Sequence, residues 1–247
     1  AIALAGEAAS AEQIQHIREQ YGFNRPLLVQ YLDWGWRALQ GDFGESPYFR
    51  LPVSRIMGDR IGVTMTLGAC ALAFAVLLSL PLGILASVRP NTWADRLSLG
   101  IAVLGQAMPS FWFGLILIIF FSVTLRWLPV SGTGSWQHFV MPTIALGYYA
   151  TPAFMRLIRS GMIEVLSSDY IRTARAKGLR NQVVIVRHAL RNALVPIVTV
   201  IGLSVGTLLG GAVITETIFS LPGIGQLIYN AIGQRDYPII QGCILLV

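Results

Sequence analysis

Four stretches of the chain carry no charged residue at all: Ile61–Val88, Leu97–Leu125, Phe139–Met155 and Ala193–Thr215. A helix needs about 20 mainly apolar residues to cross the hydrocarbon core of a bilayer. The first, second and fourth stretches exceed that length. The third is short and contains Pro142 and Pro152, and Leu157 and Ile158 extend it. A charge at the centre of such a helix costs about 2.5–3.5 kcal/mol on insertion scales, so the absence of charge is informative. Ile239–Val247 reads as the start of a fifth apolar run. The pattern predicts an all-α, polytopic transmembrane bundle, with spans at about 61–88, 97–125, 139–158 and 193–215, and one from 238 that is cut at 247.

Polar positions gather before and between these runs. Residues 1–60 are mixed. Ser10-x-x-Gln13 reads as a capping box, in which the side chains of the cap residue and of the third helical residue bond each other's backbone N–H. Ile14 and Ile17 share one face, and Gly22 reads as a stop. Pro26 is placed like a first-turn proline. Leu27–Leu39 carries Tyr31, Trp34 and Trp36, which suit a lipid–water interface. Gly41–Ser46 reads as a loop, and residues 1–60 as an external segment of short helices.

Glu164–Asn192 is the most polar and basic stretch. Its middle, Asp169–Lys177, reads as one short helix. Ser168 or Asp169 is placed to cap it, Gly178 suits the left-handed position past its end, and Lys177 favours the negative end of its dipole. Ala174 and Ala176 keep part of its surface flat for a close-approaching partner.

Charge then orients the chain. The formal net charge is +6. Residues 156–191 hold eight basic side chains against two acidic ones, so this one loop carries the whole excess. The connection holding Arg89 and Arg96 is also basic, whereas Glu216–Tyr237 nets −1. Cytoplasmic loops are enriched in Lys and Arg. The first and third connections therefore face the cytoplasm, and residues 1–60, the second and the fourth face out. This topology asks for an earlier span before Ala1, or a cleavable signal, and the span is the preferred reading. Only 12% of residues are charged, against about 25% in soluble domains, and mean hydropathy is +0.63. Cys70 and Cys243 lack metal-ligand spacing and read as small buried thiols. His16, His138 and His188 have no paired spacing, so no metal site is expected.

Candidate chemistry is sparse. Gly202-Leu-Ser204-Val-Gly206 has the spacing of a nucleophile elbow, which functions on a strand-to-helix turn. Here it lies in an apolar helical run without an acid. An intramembrane hydrolase using Ser204 is the remote alternative, and a non-transporting membrane scaffold is another. Gly202, Gly206 and Gly210 form two overlapping G-x-x-x-G spacings, which let transmembrane helices pack closely. No phosphate-cradling G-x-x-x-x-G-K-[ST] occurs, so ATP is not held by this chain. Leu221-Pro-Gly-Ile-Gly225 reads as a turn, or as an external loop folding back over a pathway.

The basic segment resembles the cytoplasmic "EAA" loop of permease subunits of bacterial ABC importers. Aligned on Gly178, only Ala174, Gly178 and Leu190 match the general motif. Asp169-Tyr-Ile-Arg-Thr-Ala-Arg-Ala-Lys-Gly-Leu179 followed by Arg187-His-Ala-Leu-Arg-Asn-Ala-Leu-Val-Pro-Ile-Val-Thr199 is much more similar to the dipeptide/oligopeptide/nickel branch. Asn24–Tyr31, Gly41–Ser46, Met108–Gly114, Leu209–Val213, Glu216–Gly225 and Arg235–Pro238 agree with that branch, and the resemblance is to the first permease of its pair.

The resemblance implies a type I permease domain over 61–247, with the family's first helix absent before Ala1 and its last truncated, and a cytoplasmic coupling loop at 159–192. It implies a multi-pass protein of the bacterial inner membrane that imports di- or oligopeptides, with nickel, glutathione, opines or oligosaccharides as alternatives. Implied partners are a second homologous permease, two cytoplasmic ATPases that bind ATP and magnesium, an external solute-binding protein and membrane lipid, without nucleic acid. No catalytic residue and no cofactor of its own are implied. Asp169, Tyr170, Arg172, Ala174, Arg175, Lys177, Gly178 and Leu179 would dock on an ATPase.

Overall fold

In a computed structural model, residues 10–20, 22 and 24–246 are described. Their regular structure is helical, apart from an isolated bridge between Glu45 and Pro52. The chain divides into two compact units, one made of Ala1–Gly62 with Gln226–Val247 and the other of Val63–Gly225.

The first unit contains α1 (Ala11–Gln20) and α2 (Leu27–Leu39). At α1 the Ser10 N–H donates to Gln13 Oε1 and the Gln13 N–H to Ser10 Oγ, the reciprocal pair of a capping box. The pairing expected of Ile14 and Ile17 lies outside the described side chains. Gly22 has φ +68°, as a stop requires. Pro26 precedes α2 as its cap rather than occupying its first turn, and its carbonyl accepts from Val29 and Gln30 N–H.

The same unit includes α9 (Ile224–Gln234) from Gln226 on, and α10 (Tyr237–Leu246). Asp236 at its start is buried, accepts from the Ser46 hydroxyl, and lies within reach of the Ile239 N–H. Ser46 Oγ in turn accepts from the Phe49 N–H at 2.9 Å. Gly242 packs closely against Val53, Met57 and Phe43, whose side chains a Cβ there would press on at 3.0–3.4 Å. The Gly41–Ser46 loop is thus fixed to a helix almost 200 positions later in the chain.

The helix α3 (Val53–Val88) supplies most of its length to the second unit. There follow α4 (Trp93–Ala107), α5 (Ser110–Leu117) with a π-helical continuation Ile118–Thr124, α6 (Gln137–Leu166), α7 (Asp169–Ala176) and α8 (Asn181–Ile218). The expected single span 97–125 is broken, with a 99° bend between α4 and α5. Pro109 explains the break. A proline forces the residue before it out of helical conformation, and Met108 is extended at φ −94°, ψ 134°. Likewise the expected loop 159–192 is largely helical. α6 continues to Leu166 and α8 starts at Asn181, so only α7 and its two short turns separate them.

The core of this unit sits on α6. One apolar cluster joins Leu67 and Ala71 of α3, Met141 and Leu146 of α6, and Leu208 and Ala212 of α8. Contact is close because glycines face bulk. A Cβ on Gly83 would meet Ile158 at 2.7 Å, one on Gly105 would meet Tyr148 at 2.9 Å, and one on Gly147 would meet the Ala71 carbonyl oxygen at 2.6 Å. The Leu221–Gly225 turn is shaped by a buried acid. Glu216 Oε1 accepts from the Thr64 hydroxyl at 2.6 Å, and Thr64 Oγ1 accepts from the Ile224 N–H at 2.8 Å. Gly223 and Gly225 lie directly against the Glu216 carboxylate, a fit that any side chain at either position would disrupt.

Candidate functional site

The candidate site is α7 and its supports. The helix is short because its boundaries are chemical. Ser168 is extended at φ −71°, ψ 154° just before it, and Gly178 is left-handed at φ +76° just after it. Gly178 N–H donates to the Arg175 carbonyl at 2.9 Å and Leu179 N–H to that of Ala174, which closes the C-terminal turn. The expected side-chain cap is absent. The Ser168 hydroxyl donates back to the Val165 carbonyl at 2.6 Å, tying the turn to α6 instead.

The helix has two faces. Ile171 and Ala174, one turn apart, are buried with Ile158 and Met162 of α6 and Val184 and Ala193 of α8. Ala174 is 7% exposed, so the flat surface expected there serves the chain's own packing rather than a partner. The other face is open. Asp169, Tyr170, Arg172, Arg175, Lys177, Gly178 and Leu179 are exposed, as are Arg180, Arg187 and Arg191 nearby. Arg172 pairs with Asp169 at 3.2 Å, both side chains being mostly in solvent, so this pair adds little stability. Tyr170 is held by an Asn192 Nδ2 bond to its hydroxyl at 2.8 Å. The structure therefore brings together seven of the eight expected docking residues on one basic surface and turns Ala174 inward.

Beside this surface lies a pair the sequence reading did not select. Arg159 of α6 grips Asp95 of α4 with two bonds, Nε to Oδ1 at 2.8 Å and Nη2 to Oδ2 at 2.7 Å. The Asn91 N–H adds a bond to Asp95 at 2.9 Å. The Arg159 bond is the main cause holding the Asp95 carboxyl below its ordinary value; burial opposes it and Asn91 assists. The pair fastens the connection between α3 and α4 to the helix that carries α7. Its signal in the sequence was a single acid, Asp95, between two arginines in an otherwise basic connection.

Gly202, Gly206 and Gly210 meet no other element of the described chain. Nothing in the described chain comes within 4 Å of a Cβ placed on any of them. The close packing falls to Gly83, Gly105 and Gly147, which share no G-x-x-x-G spacing. Ser204 lies mid-helix with its hydroxyl donating to the Val200 carbonyl at 2.8 Å. It stands on no strand-to-helix elbow, so the hydrolase alternative lacks the geometry it requires.

The described residues form a helical bundle with helices long and apolar enough to cross a membrane and a short basic helix held between two of them. Residues 79–247 match the family of binding-protein-dependent transport system inner membrane components, and the chain belongs to that family. It is a permease component of an ABC importer in the inner membrane, and ATP hydrolysis lies on partner subunits. The chain is 43% identical over 243 residues, 98% of its length and 79% of the relative's, to the glutathione transport system permease protein GsiC of Salmonella typhimurium. The match to GsiC of Escherichia coli K12 has the same extent. Among solved structures, an inward-facing MetNI methionine ABC transporter gives a TM-score of 0.64 at 20% identity, covering 77% of this chain and 88% of that one. An amino acid ABC transporter gives 0.57 at 13%, covering 78% and 86%. These two likenesses concern the fold.

Proposed function

We propose that this permease forms the pathway for short peptides, with glutathione, itself a tripeptide, within that class. The carrying observation is the 43% identity to glutathione permeases across nearly the whole chain. The Asp169–Leu179 resemblance to the dipeptide/oligopeptide/nickel branch supports the same class. Nickel, opines and oligosaccharides are the competing ligands. The importer comprises this chain, a second homologous permease, an external solute-binding protein and two cytoplasmic ATPases that hold ATP and magnesium. Uptake of labelled glutathione, dipeptide and nickel by the reconstituted importer with its own binding protein ranks the ligands. Peptide-class uptake supports the proposal, and transport of nickel alone overturns it.

The exposed face of α7 is the ATPase-docking surface. Tyr170 and Leu179 offer apolar anchors, and Arg172, Arg175 and Lys177 offer cations to acids on the partner, in a helix-in-groove contact. Ile171 and Ala174 transmit its movement to α6 and α8. Gly178→Arg places a long cation at a left-handed position that is open to solvent. Insertion of that variant into the membrane persists while uptake falls to background. Membrane level and uptake, measured side by side, check this, and normal uptake would remove the docking role.

A further inference from the structure

The helix α2 buries none of its residues. Its sequence, Leu-Leu-Val-Gln-Tyr-Leu-Asp-Trp-Gly-Trp-Arg-Ala-Leu, is nonetheless mostly apolar. At 100° per residue, Gln30, Asp33 and Arg37 fall on one narrow side, and Leu28, Leu32 and Leu39 fall nearly opposite. Leu27 and Leu39 are each 83% exposed, and Leu28, Tyr31, Leu32 and Trp36 are also exposed. The loop leading to α3 repeats the pattern, exposing Tyr48, Phe49 and Leu51.

We infer that α2 lies in the lipid–water interface of the membrane, its leucine face in the acyl region and its Gln30–Asp33–Arg37 side toward water. Four observations choose lipid over a protein partner. Thirteen residues span about 20 Å, too short to cross a hydrocarbon core of about 30 Å. Tyr31, Trp34 and Trp36 are the residue types that gather at the headgroup level, and Tyr48 and Phe49 add to them just before α3. The polar side is electrically closed, because Arg37 pairs with Asp33 at 2.9 Å, so it offers no net charge to a complementary protein. Finally, the chain is an inner-membrane component, so a bilayer is already present beside it. A helix with leucine and tryptophan on one face and its polar residues on the other is suited to lying in the plane of the interface. The charge pattern places residues 1–60 outside, so the outer leaflet is the one engaged. The helix would hold the external segment at membrane level, and this inference stands apart from the ligand and from the docking of α7.

The test uses the protein assembled with the second permease and the ATPases, reconstituted without the binding protein in vesicles of phosphatidylethanolamine and phosphatidylglycerol. Cys70 and Cys243 are replaced, and one spin label at a time is placed by Leu28→Cys, Leu32→Cys, Leu39→Cys, Gln30→Cys, Asp33→Cys or Arg37→Cys. All six positions are at least partly open to solvent, so the fold tolerates the labels. Collision with oxygen reports lipid, and collision with a water-soluble nickel chelate reports water. The expected result is oxygen-dominated relaxation at 28, 32 and 39 and nickel-dominated relaxation at 30, 33 and 37, with no change on adding the binding protein. Equal nickel access at all six sites would overturn the inference. So would shielding of 28, 32 and 39 from both reagents, or protection that arises only with the binding protein, since each makes the cover protein rather than lipid.

Discussion

The two long helices on either side of α7 differ in a way their sequences conceal. α8 is the more plainly apolar, and it holds three glycines at four-residue intervals. α6 holds Pro142 and Pro152 where α8 holds Pro196, and it carries Arg156, Arg159 and Glu164 in its second half. Yet α6 is the one enclosed by its own chain, with the Ala71 carbonyl against Gly147, Gly105 under Tyr148 and Gly83 under Ile158. The Tyr148 hydroxyl also donates to the Ile101 carbonyl, fixing α4 to α6. Along α8, Val195, Val198 and Leu203 face outward and its spaced glycines touch nothing within the described chain. Apolarity marks a helix that lies in a membrane, whereas close packing is marked by what stands opposite each small residue. α6 is therefore the internal spine, and α8 gives one side to the bundle and the other to lipid or another protein.

The contrast breaks most sharply at Gly147. In Gly147→Ala the new methyl meets the Ala71 carbonyl oxygen, which is backbone and cannot rotate away. Overpacking of this kind costs about 1–3 kcal/mol, and this site belongs at the upper end. Thermal unfolding of the purified protein in detergent, together with its level in membranes, measures the loss. An unchanged midpoint would mean that α3 and α6 do not approach as described.

A similar cost is expected where α6 is tied to α4. Asp95→Ala leaves the Arg159 guanidinium without its two charged bonds, and bonds to charged groups are worth about 1.5–3 kcal/mol. The sign of the pH effect follows from the depressed Asp95 value. The stabilisation is complete above the ordinary carboxylate range and is lost as pH falls through the lower folded value. The wild-type protein thus loses this contribution only in strong acid, and Asp95→Ala flattens that part of its stability–pH curve. Unfolding midpoints across an acid series compare the two.

The sequence made some of these features readable and hid others for physical reasons. The four uncharged runs and the short basic helix were legible because desolvation and capping are local effects. The Ser10–Gln13 box and the Gly178 stop were legible for the same reason. The break at Met108–Pro109 was carried by a proline but masked by the uncharged run around it. The inward turn of Ala174 was not legible, since small size fits both a partner's surface and the chain's own core. Asp95–Arg159, Thr64–Glu216 and Ser46–Asp236 join residues more than 60 positions apart, and no local pattern pairs them.

The smallest effect, and the one of opposite sign, belongs to Gly206. A methyl there enters open space in the described chain, so Gly206→Ala has no clash to relieve. It removes a helix-interior glycine, whose conformational freedom costs a helix about 0.8–1 kcal/mol relative to alanine. The chain on its own should gain up to about that amount. In the assembled importer the sign depends on what covers α8. If lipid covers the stripe, the gain persists on assembly. If another helix packs on Gly202, Gly206 and Gly210 by close backbone approach, the same methyl holds it off, and the gain in the isolated chain becomes a loss of association. Measuring unfolding of the chain alone and co-purification of the importer with one variant separates the two. A variant that is more stable alone and assembles less would identify the open stripe of α8 as a protein interface.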